Sequence, residues 1–154
     1  LEVYLAFLGA AIARGLVTGG AVLLIASLIT PVTLHSALLV LLFALLSSGV
    51  MGALGIIAGI WSEKYDHLSA FQNFIILPLT FLSGVFYSIQ DLPPFWRAVS
   101  SWNPVFYLID GFRFGFLGVS DVSFGASVVV ATLFLLLLTL LSIAILRSGY
   151  KLRG

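Results

Sequence analysis

The sequence predicts an all-α polytopic membrane protein, with four transmembrane helices and two short re-entrant or interfacial helices before the last of them. Three observations predict it. Of the 154 residues, 61% are hydrophobic and 8% are charged, and the mean hydropathy is +1.20. Soluble domains carry about 25% charge and about 45–50% apolar residues. A soluble globule of this composition could not cover its apolar surface, and disordered chains are poor in apolar residues. Second, the few charges leave long neutral gaps: 48 residues from Gly15 to Ser62, 24 from His67 to Gln90 and 25 from Val122 to Leu146. Third, the gaps do not alternate. Membrane β-strands alternate over about ten residues, whereas Val128–Leu141 is apolar at nearly every position. Phe112–Phe116 does alternate, but one such stretch makes no barrel.

A membrane helix takes about 20 apolar residues. The two shorter gaps are therefore one span each. The long gap is two, broken near Thr30-Pro31, where proline cannot continue a helix and His35-Ser36 follow. The spans run over about 3–30, 36–61, 68–89 and 123–147, with an outward segment at 90–122, all in a single transmembrane domain over 1–154. The first span, at 28 residues, would be about 42 Å long, more than a hydrocarbon core of about 30 Å. The favoured reading lets the first dozen residues project into the cytoplasm or lie at the interface, with Gly15–Thr30 crossing and Arg14 snorkelling outward. The alternative is that Arg14 faces a wet interior. The chain begins at Leu1 without a signal peptide and reads as a piece of a longer protein.

Orientation follows from the cations. Alternating ends put Arg14, Lys64, Arg147, Lys151 and Arg153 on one side, and Arg97 and Arg113 on the other. The richer side is cytoplasmic. That assigns the Glu63–Asp66 loop and the Arg147–Gly154 tail to the cytoplasm, and 90–122 to the outside.

Within the spans, small residues recur at helical spacing. Ala11, Gly15 and Gly19 are four apart, as are Ser48 and Gly52, and Gly55 and Gly59. Such spacing lets membrane helices pack closely, because lipid supplies no hydrophobic drive for association. In the third span, Pro78 removes a backbone hydrogen bond to Phe74 and should kink the helix. Gln72, Asn73, Thr80 and Ser83 share that span. Two readings stand for them: hydrogen bonds between helices, worth about 0.6 kcal/mol each on average, or a polar lining for a substrate path.

The outward segment is unusual. Residues 86–117 hold ten of the 21 aromatics, including Phe86, Tyr87, Trp96, Trp102 and Tyr107. Trp and Tyr prefer the headgroup layer, so the segment should lie on or dip into the outer interface. Pro93-Pro94 opens one short helix, about 94–102, and Asn103-Pro104 stops it and opens another, about 104–117. On the second, Gly111, Gly115 and Gly118 fall on one face that lets another backbone approach. Asp110 and Arg113 are three apart and within reach of each other. Asp91 and Arg97 stand similarly across the proline pair. Either the segment is an interfacial anchor, or it is a folded lid at the outer mouth of a pathway.

Nothing in the chain points to chemistry of its own. A nucleotide-binding P-loop needs G-x-x-x-x-G-K-[ST], and neither Lys64 nor Lys151 follows a glycine. His35 and His67 fall at opposite membrane faces and cannot share a metal. Adjacent Asp66 and His67 do not face each other on a helix. There is no cysteine, and a net charge of +1 without a basic cluster excludes a nucleic-acid reader.

One ordered set of residues resembles a known family. Leu77-Pro78-Leu79-Thr80-Phe81-Leu82-Ser83-Gly84-Val85-Phe86-Tyr87, then Leu92-Pro93-Pro94, Trp102-Asn103-Pro104, Tyr107, Asp110-Gly111 and Arg113 look like the C-terminal signature of ABC-2 type transporter permeases. These are membrane subunits of bacterial ABC exporters for drugs, Nod factors and cell-surface polysaccharides. The resemblance implies a bacterial inner-membrane permease that pairs with a second copy and with an ABC ATPase subunit. The ATPase, not this chain, would bind ATP and Mg. It further implies that the re-entrant helices close the outer end of the path. Arg113, from its place in the motif, would order that lid. It implies too that Leu1 falls just after a coupling helix preceded by two further spans. The competing class is a non-transporting membrane assembly or anchoring subunit, for which four spans and packing glycines would suffice.

Overall fold

The computed structural model describes residues 2–62 and 64–148. Every regular element among them is helical. The elements are α1 (Glu2–Ile29), α2 (Ala37–Trp61), α3 (Tyr65–Phe71) and α4 (Leu77–Phe81), then α5 (Pro94–Ser101), α6 (Pro104–Leu117) and α7 (Phe124–Ser148). A π-helical turn, Gln72–Ile76, joins α3 to α4, and a 3-10 turn, Ile89–Asp91, precedes α5. Three helices, α1, α2 and α7, are long and apolar enough to cross a membrane.

The core is organised around α2. Phe43, Leu46, Val50 and Ala53 fall on one face of it and are buried against Leu108 of α6 and Ala131 and Leu138 of α7. α2 and α7 run parallel, with Phe43 edge-on to Phe124 and Gly49 facing Leu135. α6 runs antiparallel to α2: a Cβ on Gly111 would overlap the Phe43 ring, and one on Gly115 would meet the Val40 backbone nitrogen at 2.9 Å. The glycine face expected on 104–117 is thus the face on which α2 lies. Asn103 caps α6 by accepting the Val105 N–H at 3.0 Å, and Gly118, at φ +69°, ends it in the left-handed region.

α1 lies antiparallel to α2 through the predicted small residues. Ala11 sits against Gly52, and Gly15 sits against Ser48. Cβ atoms placed on Gly19, Gly55 or Gly59 would meet nothing within 4 Å, so no close helix approach among the described residues depends on these three. The register moves Arg14. It stands level with Gly49, 12 residues from either end of α2. Tyr4 is buried, and its hydroxyl donates to Thr139 of α7 at 2.8 Å. The first dozen residues therefore lie along the bundle and do not project from it, because close small-residue packing draws the N-terminal half of α1 onto α2. Arg14 is correspondingly at mid-helix depth and exposed. A lipid-facing arginine there would cost about 2.5–3.5 kcal/mol at the least.

The third expected span also differs. Helical backbone runs from Tyr65 to Phe81, 17 residues in three segments, and does not reach residue 89. The backbone leaves the helix at Leu82, and Gly84 follows at φ +77°. The Tyr87 hydroxyl donates to the free carbonyl of Phe81 at 2.9 Å. Ahead of Pro78, Leu77 N–H reaches back five residues to Gln72 O, so the departure from α geometry occupies the turn before the proline. Glu63, Lys151 and Arg153, on which part of the orientation argument rests, lie outside the described residues.

Candidate functional site

The polar residues gather where α2 and α7 begin, around the α6–α7 loop. Asp110 of α6 is completely buried. It accepts from the Asp121 backbone N–H at 2.7 Å, the Ser120 hydroxyl at 2.5 Å and the Ser127 hydroxyl at 3.0 Å. A buried carboxylate is tolerated when its acceptor capacity is filled in this way. The effect is to fold the α6–α7 loop back onto α6 and tie it to the first turns of α7.

That loop presents Asp121 to the segment after α4. Asp121 accepts from the Ser88 hydroxyl at 2.7 Å, the Ile89 N–H at 3.0 Å and Arg113 Nη1 at 3.0 Å. Arg113 Nη2 donates to the carbonyl oxygens of Gly84 and, at 3.4 Å, Tyr87. Gln90 Nε2 donates to Asp121 O at 3.2 Å. One arginine and one aspartate thus clamp the turn 84–90 onto α6 and the α6–α7 loop. Partial burial alone would raise the Asp121 pKa. The Ser88 hydroxyl, the Ile89 N–H and the Arg113 charge outweigh it and hold the carboxyl below its ordinary value.

A pH dependence follows. A carboxylate with a lowered folded pKa contributes stability above its unfolded pKa, about 3.9, and loses it as pH falls through the lower folded value. Melting of the detergent-solubilised full-length protein should therefore lose an increment below about pH 4, and Asp121→Asn should flatten that acid limb. An acid limb of unchanged size in Asp121→Asn would contradict the assignment.

The sequence-predicted residues divide. Tyr87, Asn103, Asp110 and Arg113 enter the polar framework. Asn103 Nδ2 donates to Leu79 O at 2.6 Å, linking the α5–α6 corner to α4, and the Tyr107 hydroxyl donates to Ser101 O at 2.9 Å. Pro93 precedes α5 in extended backbone and Pro104 opens α6. Phe86, Trp96 and Trp102 are exposed, Trp102 to 89%. Thr80 donates to Ile76 O and Ser83, buried, to Thr80 O, so both hydroxyls serve their own helix. Gln72 and Asn73 lie exposed on the π turn, away from this framework.

Two pairings differ from the spacing. Arg113 bonds Asp121, not Asp110, because Asp110 points inward to serines while Arg113 points to the α4 side. Arg97 donates to the carbonyls of Gln90, at 2.5 Å, and Leu92, at 3.2 Å, and bonds no carboxylate among the described residues. The sequence reading passed over Asp121, Ser88, Ser120 and Ser127. Its one available signal was that Asp121 is an acidic residue of the outward segment with no cation at helical spacing. No group of three His, Cys, Asp or Glu that could hold a metal occurs among the described residues.

Three helices fit to cross a membrane, a broken helix beside them and a buried polar clamp at one end define a polytopic helical membrane protein. The model of the ABC-2 type transporter family matches residues 1–117, and the chain belongs to that family. It is 36% identical over 148 residues to the inner membrane transport permease YadH of Escherichia coli K12, and equally to that of Shigella flexneri. Those alignments cover 96% of this chain and 58% of the relative. It is 27% identical over 113 residues to nodulation protein J of Rhizobium leguminosarum bv. viciae, covering 71% of this chain and 44% of that one. The chain thus spans little more than half the length of the YadH permeases and less than half that of nodulation protein J. No solved structure matches it.

Proposed function

We propose that this chain is the transmembrane permease portion of an ABC exporter in a bacterial inner membrane, driven by ATP hydrolysed with Mg on a separate ATPase subunit. It works beside a second copy, and residues 82–117 form the gate at the outer end of the path. The observation that carries the gate is the register of α6. With Gly111 against Phe43 and Gly115 against Val40, the Asn103-Pro104 corner falls level with the middle of α2. α5 descends to that corner and α6 returns from it, which is re-entrant geometry. Non-helical backbone at such depth is tolerated only against protein or water.

In this reading the fourth crossing is made by Tyr65–Phe81, about 26 Å of helical rise, completed by the turn that Arg113 holds. Lys64 and Arg147 mark the cytoplasmic side, Arg97 and Arg113 the outer side, and the C-terminus is cytoplasmic. The exposed amides of Gln72 and Asn73 line the path or face the second copy. ATP-driven tilting of α3–α4 would pull Gly84 and Tyr87 away from Arg113 and release the hairpin. The chain itself binds no cofactor.

The test uses the full-length protein with its ATPase. Arg113→Ala should leave the ATPase co-purifying and the protein at near-normal levels, while export falls at least about tenfold. Arg113→Lys, which supplies a point charge but no planar fork, should recover only part. Normal export by Arg113→Ala at normal levels would refute the gate. Failure to recover any nucleotide-binding partner under mild detergent would refute the exporter.

A further inference from the structure

The end of α4 is held by side chains where a longer helix would hold it by backbone. In a helix that continued past Leu82, the carbonyls of Leu79, Thr80, Phe81 and Gly84 would each accept from the N–H four residues on. Here Leu79 O accepts from Asn103 Nδ2 at 2.6 Å, Thr80 O from the Ser83 hydroxyl at 2.5 Å and Phe81 O from the Tyr87 hydroxyl at 2.9 Å, while Gly84 O accepts from Arg113 Nη2. Among the described residues, no backbone N–H from Gly84 to Ser88 donates to a backbone carbonyl. The sequence itself does not demand a stop. Phe81-Leu82-Ser83-Gly84-Val85-Phe86-Tyr87-Ser88 holds neither a charge nor a proline, and Gly84 is its one poor helix former.

Two arrangements of 82–88 are therefore open to the chain, and they exclude each other. Gly84 has φ +77° in the turn, against about −63° in a helix. The Phe81 and Phe86 rings lie with centroids 5.9 Å apart, whereas residues five apart on a helix point about 140° away from each other. We propose that 82–88 is a two-state element. As the clamped turn it holds the gate shut; wound onto α4 as two further helical turns it opens it. Winding passes the carbonyls of Leu79, Thr80, Phe81 and Gly84 to the N–H groups of Ser83, Gly84, Val85 and Ser88, so Asn103, Tyr87 and Arg113 release α4 together. The helix then runs from Tyr65 to Ser88, about 36 Å, which crosses a core of about 30 Å with some tilt. Gly84 sets the balance, because glycine fits the left-handed turn and weakens a helix. The inference deepens the proposed gate and rests on that reading; it adds that the opening motion is a change of secondary structure and not tilting alone.

Amide hydrogen exchange tests it, read by mass spectrometry on peptides covering 79–90 of the full-length protein bound to its ATPase. Without nucleotide, the amides of 84–88 should exchange freely. A saturating non-hydrolysable ATP analogue should slow them at least about tenfold, as backbone hydrogen bonds form. Gly84→Ala disfavours the left-handed turn and favours the helix. The analogue concentration that gives half-maximal protection should therefore fall about fivefold. Tyr87→Phe removes only the donor to Phe81 O and should lower the half-point by a smaller factor. It carries the test alone if Gly84→Ala yields too little protein.

Exchange at 84–88 that the saturating analogue leaves unchanged would overturn the winding. Loss of export in Arg113→Ala beside that result would leave the gate itself standing. Protection whose half-point neither Gly84→Ala nor Tyr87→Phe moves would also overturn the winding, since another segment would then be covering the turn. A half-point raised by Gly84→Ala would overturn it by reversing the order of the two states. A half-point lowered as expected, with normal export by Arg113→Ala, would support the two-state element and refute its role as a gate.

Discussion

Asp110→Ala should destabilise the full-length protein by about 3 kcal/mol or more. The substitution removes the acceptor of three donors: the Asp121 N–H and the Ser127 hydroxyl lose theirs outright, while the Ser120 hydroxyl keeps Val122 O at 2.6 Å. Each unsatisfied buried donor costs about 1–3 kcal/mol. The serines can rotate towards other acceptors, but the Asp121 N–H cannot. Its loop would then detach from α6, and with it the carboxylate that holds Ser88, Ile89 and Arg113. Asp110→Asn keeps an acceptor for that N–H while placing an amide donor beside two hydroxyls, and should lose less. Thermal melting in detergent, with yield as a second readout, checks the order wild type, Asn, Ala. An Asp110→Ala protein within about 1 kcal/mol of wild type would contradict the account of the buried carboxylate.

The second large effect is expected at Gly111. Gly111→Val would drive its side chain into the ring of Phe43, which is fully buried and fixed edge-on against Phe124. The Phe43 ring is fully enclosed, so α6 must lift from α2. Overpacking typically costs about 1–3 kcal/mol when neighbours can adjust, and this site should exceed that range. Lifting α6 moves the whole α5–α6 hairpin, so the variant should lose the gate together with its stability. Gly55→Ala is the control. It adds a Cβ to the same class of helix where nothing lies within 4 Å, and should be neutral or stabilising by up to about 1 kcal/mol. Equal damage from both substitutions would show that close approach at Gly111 is not what matters.

The sequence made the large elements legible because lipid imposes a simple rule on them. Gaps between charges located α1, α2 and α7 to within a residue or two, and prolines located the starts of α5 and α6. Small-residue spacing anticipated the α1–α2 contact at Ala11, Gly15, Ser48 and Gly52, and the face of α6 that α2 covers. Hydropathy did not locate the end of the third helix. The stretch to Gln90 stays free of charge, while the stop at Leu82 comes from Gly84 and from carbonyl partners supplied by Tyr87 and Arg113. Arg14 was misplaced because a single charge says nothing of register. Register came from four small residues on two helices, and only their pairing fixes the depth of Arg14. The candidate site was half legible for a related reason. Asp110 and Arg113 are three apart on one helix, which suggested a local pair. The partners that the fold gives them lie 8 to 29 residues away, in loops and in the first turn of α7, where no periodicity connects them.

The central claim is that the turn clamped by Arg113 and Asp121 opens when the partner ATPase is loaded. Gln90 and Val122 flank the clamp without forming its ionic part, since Gln90 reaches only the backbone of Asp121. In full-length protein bound to its ATPase, Gln90→Cys with Val122→Cys should cross-link efficiently with a short thiol-reactive linker in the absence of nucleotide. Trapping the complex with ATP and vanadate should reduce the yield several-fold, and washing out nucleotide should restore it. A cross-linking yield that stays constant through nucleotide binding and turnover would contradict the gate.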